Sequence, residues 1–189
     1  MVKYSVSYIS CLILLVLLIP IAGRAANAEK PRHPARPAAV SPSERLGAAD
    51  SWTAFDFRER SGKVCYVAGE PQKSEPAGAR RKPPVAMVTH RPGDKVTDVV
   101  SFDEGYPLKD GSDVSLDVGG TKFQLFTKGG TAWARTPELD KAIVEAMAKG
   151  RQAVVRGTSQ KGGATTDTYS LAGFAEALAM IDKACEINR

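Results

Sequence analysis

The 189-residue chain has only two histidines, three cysteines and one long apolar run, and each shortage excludes a class of function. Zinc sites take three or four protein ligands. His33 sits among prolines, so His90 is left as a lone ligand candidate, and neither a metal nor another cofactor is expected. The apolar run 11–22 is about a dozen residues long, short of the roughly 20 that cross a hydrocarbon core. No glycine-rich loop opens a helix where a phosphate would sit, because Gly119-Gly120 lies between two strand-like runs. A nucleic-acid surface needs a basic stripe with stacking aromatics. The formal net charge is +5 but no such stripe is present, so no nucleic-acid partner is expected.

What is there begins with an export signal. Lys3, the apolar core 12–19, helix-breaking Pro20 and Gly23, and the small-x-small triplet Ala26-Asn27-Ala28 read as a secretory signal peptide over 1–28, cleaved after Ala28. Cleavage discards Cys11 and lowers the net charge to about +3. The product is expected in the periplasm or outside the cell, with no transmembrane segment. Residues 29–50 mix Pro31, Pro34, Pro37 and Pro42 with Lys30, Arg32, Arg36 and Arg45. That composition cannot build a core and reads as a disordered or polyproline-like tether. Two cysteines remain, Cys65 and Cys185. An even count in an oxidising compartment favours a disulfide. The loop it closes, about 120 residues, is worth a little over about 4 kcal/mol in chain-entropy models.

The folded part is expected over 51–186, with a tail at 187–189. Strand patterns dominate its first two thirds: 52–57 and 63–67 form a hairpin through Ser61-Gly62, and 85–89 reads as a strand buried on both faces. The segment 70–84 between them reads as an exposed loop. If Gly119-Gly120 form a tight primed turn, the register is fixed, with Val118 opposite Thr121, Leu116 opposite Phe123 and Val114 opposite Leu125. A short strand at 131–135 precedes a helix capped by Thr136, with Pro137 at its first position and Gly150 at its end. A second hairpin turns at Gly162-Gly163. The last helix sets Leu171, Phe174, Leu178, Ile181 and Cys185 along one stripe. The expected fold is mainly β: an antiparallel β-sandwich or open barrel with two amphipathic helices, about 137–149 and 171–185, packed at its edges.

Chemistry is sparse. His90 could act as a base oriented by Asp103, Asp117 or Asp167, but no serine stands in a nucleophile-elbow context, and a strand-end histidine more often bonds to backbone. No catalytic set is assigned. Arg80-Arg81-Lys82 with His90-Arg91 are candidates for a basic binding surface, fit for an acidic protein or an anionic glycan or lipid surface, or are simply a solvated loop. Trp133 and Tyr169 are candidate binding aromatics for which core packing is the simpler role.

Several segments together resemble the invasion-associated locus B family of small exported bacterial proteins. They are Gly62-Lys63-Val64-Cys65-Tyr66, Met87-Val88-Thr89-His90-Arg91-Pro92, Gly105-Tyr106-Pro107, Phe123-Gln124-Leu125-Phe126, Thr131-Ala132-Trp133-Ala134, Gly157-Thr158-Ser159, 165–171 and Lys183-Ala184-Cys185. The resemblance covers 52–185. It implies an exported β-rich domain linked to host-cell invasion, and it brings no enzymatic activity or cofactor. Three functions compete: a non-enzymatic interaction protein, an envelope hydrolase using His90 with a nearby carboxylate, and a structural or stress factor of the envelope.

Overall fold

The computed structural model describes residues 41–76, 80–109 and 111–189. The expected signal peptide 1–28 and the first part of the tether, 29–40, lie outside them. In chain order the elements are β1 Glu44–Ala49, β2 Trp52–Glu59, β3 Gly62–Gly69, β4 Lys73–Glu75, β5 Val85–Arg91, β6 Val96–Asp103, β7 Asp113–Val118, β8 Thr121–Lys128, β9 Thr131–Trp133, α1 Pro137–Lys149, β10 Gln152–Thr158, β11 Ala164–Ser170 and α2 Phe174–Ala184. The eleven described strands form one antiparallel sheet in the order β1-β2-β3-β5-β6-β9-β8-β7-β10-β11-β4, so its free edges are β1 and β4. Its two halves face each other across one core. The Trp52 indole N–H donates to the Ser170 carbonyl at 2.9 Å, and the Phe102 and Tyr169 rings meet edge to face at 5.8 Å. This is the mainly β, open sandwich or barrel that the patterns imply.

The β7–β8 hairpin shows why. Gly119 and Gly120 both take positive φ, 58° and 93°, which a residue with a Cβ rarely adopts. The turn therefore pairs Val118 with Thr121, Leu116 with Phe123 and Val114 with Leu125. Val114, Leu116, Val118 and Leu125 are buried, while Lys122 and Gln124 meet water. Thr136 caps α1 by accepting the Leu139 N–H at 3.2 Å. Ile143, Val144 and Met147 of α1 and Phe174, Ala177, Leu178 and Ile181 of α2 enter the same core as the strands. Cys65 and Cys185 form a disulfide with Cα atoms 6.1 Å apart, fastening the end of α2 to β3.

Three readings need correction. Glu44–Ala49, expected in the tether, is the edge strand β1, held by pairing to β2 and by Met180 of α2 lying against Gly47. The 70–84 loop contains β4, which pairs with β11. The third concerns β5, expected to be buried on both faces. It alternates: Ala86, Val88 and His90 point into the core, while Val85, Met87 and Thr89 are half-buried on the outer side. The expected tail is also anchored, because the Arg189 guanidinium bonds to Asp98 and Asp182.

Candidate functional site

The five basic residues expected on one surface do not share one. Arg80 and Lys82 are exposed. The Arg81 side chain is only 5% exposed and turns inward. His90 is fully buried, and Arg91 is half-buried and paired with Glu59. The reason is strand parity: His90 and Arg91 fall on opposite faces of β5, and Arg81 has an acidic partner waiting inside.

That partner is Asp167. Thr165, Asp167 and Tyr169 share the inward face of β11, all buried. A buried carboxylate requires a paired charge and hydrogen bonds. Arg81 supplies both through a two-pronged contact, with Nη1 donating to Oδ2 at 2.8 Å and Nη2 to Oδ1, and the Ser74 hydroxyl of β4 donates to the same carboxylate at 2.6 Å. Arg81 Nη1 also donates to the Glu104 carbonyl at 2.9 Å. A second carboxyl, Glu104, lies fully buried beside the pair. Burial first, and then the charge of Asp167, push its pKa up to about 8, so it is a neutral acid at pH 7. Tyr106 completes the group, its hydroxyl donating to Glu104 Oε2 at 3.4 Å and bonded to Thr165. Burial above all raises the Tyr106 phenol to about 12.

Above this buried group opens a cleft of about 400 Å³. Arg81, Tyr106 and Thr165 form its inner wall, and Arg80, Gln160 and Lys161 stand at its sides. Gly105 makes the wall possible: at φ 73° its ideal Cβ would stand 2.0 Å from the Lys82 carbonyl oxygen, so only glycine lets the two segments close. Among the described residues, Arg80 and Lys161 have no acidic partner. The cleft thus pairs two open cations with an aromatic wall.

His90 belongs to a different network. Its Nδ1 accepts the Asp98 backbone N–H at 3.0 Å, which leaves Nε2 to donate to Asp182 Oδ1 at 3.0 Å. Burial lowers its pKa against the pull of Asp98 and Asp182, so the ring is neutral. Its partners are therefore Asp98 and Asp182, whereas Asp167 serves Arg81 and Asp103 accepts the Gly105 N–H. Asp117 accepts the Gly120 N–H in the β7–β8 turn. The two aromatics also divide. Tyr169 is core, whereas Trp133, expected there too, is half-buried on the outer face of the sheet because its neighbour Ala132 takes the inward position. No group of three or more candidate metal ligands occurs among the described residues.

Sequence reading named Asp167 only as an acid that could orient His90 and missed the buried group it forms with Arg81 and Glu104. The available signal was parity: Asp167 alternates with Thr165 and Tyr169 on the core side of a strand, and a charge in that position demands a partner.

Fold and site together define a disulfide-closed, mainly β domain with helices on its inner side and a cation-flanked cleft over a buried Arg–Asp–Glu group. The family described as Invasion associated locus B (IalB) protein matches residues 52–182, and the chain belongs to that family. A solved structure, the invasion associated protein B of Bartonella henselae, shares the fold with a TM-score of 0.53 at 14% identity, covering 77% of this chain and 99% of that one. No curated protein matches the chain.

Proposed function

We propose that the chain is an exported, non-enzymatic interaction protein that binds an anionic partner at the cleft between the Arg80 segment and the β10–β11 turn. Export rests on the signal peptide read at 1–28, with cleavage after Ala28, and fits the disulfide, which persists in the periplasm and outside the cell. The observation that carries the reading is the pair of open cations, Arg80 and Lys161, beside Tyr106 in a cleft of ligand size. Of the other ionisable groups that line it, Arg81 is paired with Asp167, and the Tyr106 hydroxyl is bonded to Glu104 and Thr165. The invasion association named for the relatives makes an anionic polymer of a host or envelope surface the expected partner class.

The test is titration of a fluorescent sulfated oligosaccharide, and separately of anionic vesicles, into the protein at low and moderate salt. Arg80→Ala with Lys161→Ala should weaken binding by about 30-fold, since each surface cation contributes roughly 1 kcal/mol toward an anionic surface. Binding unchanged in the double variant, or insensitive to salt, refutes the site. The hydrolase alternative is less favoured because both His90 ring nitrogens are engaged in the core. A His90→Gln protein that loses a hydrolytic activity of the parent while keeping its fold would restore it.

A further inference from the structure

The outer face of the sheet is chemically divided, and this division is independent of the cleft. On β7, β10 and β11 the outward positions are polar or mixed: Ser115 and Asp117, Val154 and Arg156, Thr166 and Thr168. On β2, β3, β5, β6 and β9 they include Phe57, Tyr66, Met87, Val99 and Trp133, all half-buried. Between these side chains runs a groove of about 320 Å³, within the range of ligand sites. Tyr66 and Trp133 stand on β3 and β9, three strand spacings apart, which is about 14 Å. On the other side of Tyr66 the Phe55 ring stacks on it at 5.1 Å and leads into a second hollow lined by Thr53, Ala68 and Val85. The face is thus an elongated track with aromatic rings set along it.

The floor of the groove holds polar groups with nothing to bond. Register sets Thr89 between Tyr66 and Val99, and Ser101 between Met87 and Trp133. Ser101 is only 2% exposed, yet among the described residues its hydroxyl has no hydrogen-bond partner. Neither has the Thr89 hydroxyl or the Trp133 indole N–H, whereas the Trp52 indole donates to Ser170. The polar side-chain atoms sealed away without a partner, among the described residues, are Glu104 Oε1 and the Tyr169 hydroxyl, so the Ser101 oxygen opens to the groove that it lines. A polar group set this deeply costs free energy until something bonds to it. Charge narrows what that something is. Arg91 is the one charged residue of the lining, and it is paired with Glu59. The groove offers stacking surfaces and hydrogen bonds but no free charge, the reverse of the cation-flanked cleft.

We propose that this face binds an uncharged glycan chain, stretched along the track from Phe55 to Trp133. A pyranose ring matches it twice over: its C–H face lies on an aromatic ring, and the hydroxyls at its edge both donate and accept. The sugar rings lie on Tyr66 and Trp133, and their hydroxyls bond with Thr89, Ser101 and the indole N–H. A second copy of the chain fits less well, because its sheet backbone is already paired in ladders and its own apolar face leaves the same hydroxyls unmatched. A membrane surface also fits less well, since no free cation stands in the groove to meet anionic headgroups.

Calorimetric titration of chitohexaose, cellohexaose and maltohexaose into the protein tests this, because all three probes are uncharged. At least one should bind saturably, with the same affinity at low and moderate salt. It should also shift the emission of Trp133, while Trp52, at 1% exposure, stays silent. Thr89→Val with Ser101→Ala removes both hydroxyls with little change of shape and should weaken binding about ten-fold. Trp133→Ala should weaken it about 30-fold, the scale of an aromatic anchor. The hydroxyl variant decides the matter where Trp133→Ala does not fold. Absence of binding by all three hexasaccharides overturns the site, as does binding that survives loss of the two hydroxyls or that falls steeply with salt. Trp133 emission that shifts with protein concentration alone also overturns it, since the occupant is then a second copy.

Discussion

Glu104→Gln offers the most direct probe of the buried site. In the native protein Glu104 keeps its proton up to about 8, because burial and Asp167 oppose its charge; its ordinary value is 4.5. Between those values the unfolded chain has released a proton that the native state still holds. The unfolded state then binds fewer protons, so stability falls as pH rises from about 4.5 and levels off above about 8. The slope is about 1.4 kcal/mol per pH unit, and the whole interval amounts to roughly 5 kcal/mol. Glutamine has the same shape, can donate to Asp167 and does not titrate. The parent and Glu104→Gln should therefore have similar stability near pH 4.5, with the variant gaining steadily toward pH 8. At a typical urea slope of about 2 kcal/mol per molar, the midpoints should separate by about 2 M at pH 8. Urea unfolding at half-unit steps from pH 4.5 to 9 measures this. Midpoints that run parallel across the range would refute the account of a neutral buried acid.

Other perturbations follow from the same geometry. Arg81→Ala leaves the Asp167 carboxylate buried without its cation and should cost about 3–5 kcal/mol; Arg81→Met with Asp167→Leu should recover much of that loss in thermal unfolding. Cys65→Ser with Cys185→Ser should lower stability by about 4 kcal/mol in urea melts, and non-reducing peptide mapping of the parent should join the two cysteine peptides. Leu178→Ala should cost about 2–5 kcal/mol, read by denaturant midpoint, because this α2 side chain lies in the core at 4% exposure. His90 is held neutral by burial, so the native state resists a proton that the unfolded state takes below about 6.5. Its share of stability is lost as pH falls through that range, and His90→Gln should flatten this acid limb.

Much of the fold was legible because local and long-range signals agreed. The glycine pair at 119–120 fixed a register, Thr136 and Pro137 marked the start of α1, and the apolar stripe of α2 placed Cys185 on the core side. Where the signals are weak, the neighbours decide. β1 has the poor strand sequence Glu-Arg-Leu-Gly-Ala-Ala and exists through pairing with β2 and contact with α2. β6 has Asp98 at φ 61°, and this break hid a strand whose buried Val100 and Phe102 are core residues. β4 is three polar residues stabilised by β11 and by the Ser74 bond to Asp167. The candidate site was less visible still. Arg81 and Asp167 are 86 residues apart, and adjacency in sequence grouped Arg81 with Arg80 and Lys82, which are exposed where Arg81 turns inward.

The disulfide has a topological consequence. It makes a covalent ring of everything from Cys65 to Cys185, which holds both helices and most of the sheet. A single backbone cut anywhere within that ring releases nothing until the sulfurs are reduced. β1 and β2 stand outside it, and only hydrogen bonds and packing hold them to the ring. The first part of the domain to detach under load or protease is thus the edge that bears Phe57, while the cleft, wholly inside the ring, keeps its walls.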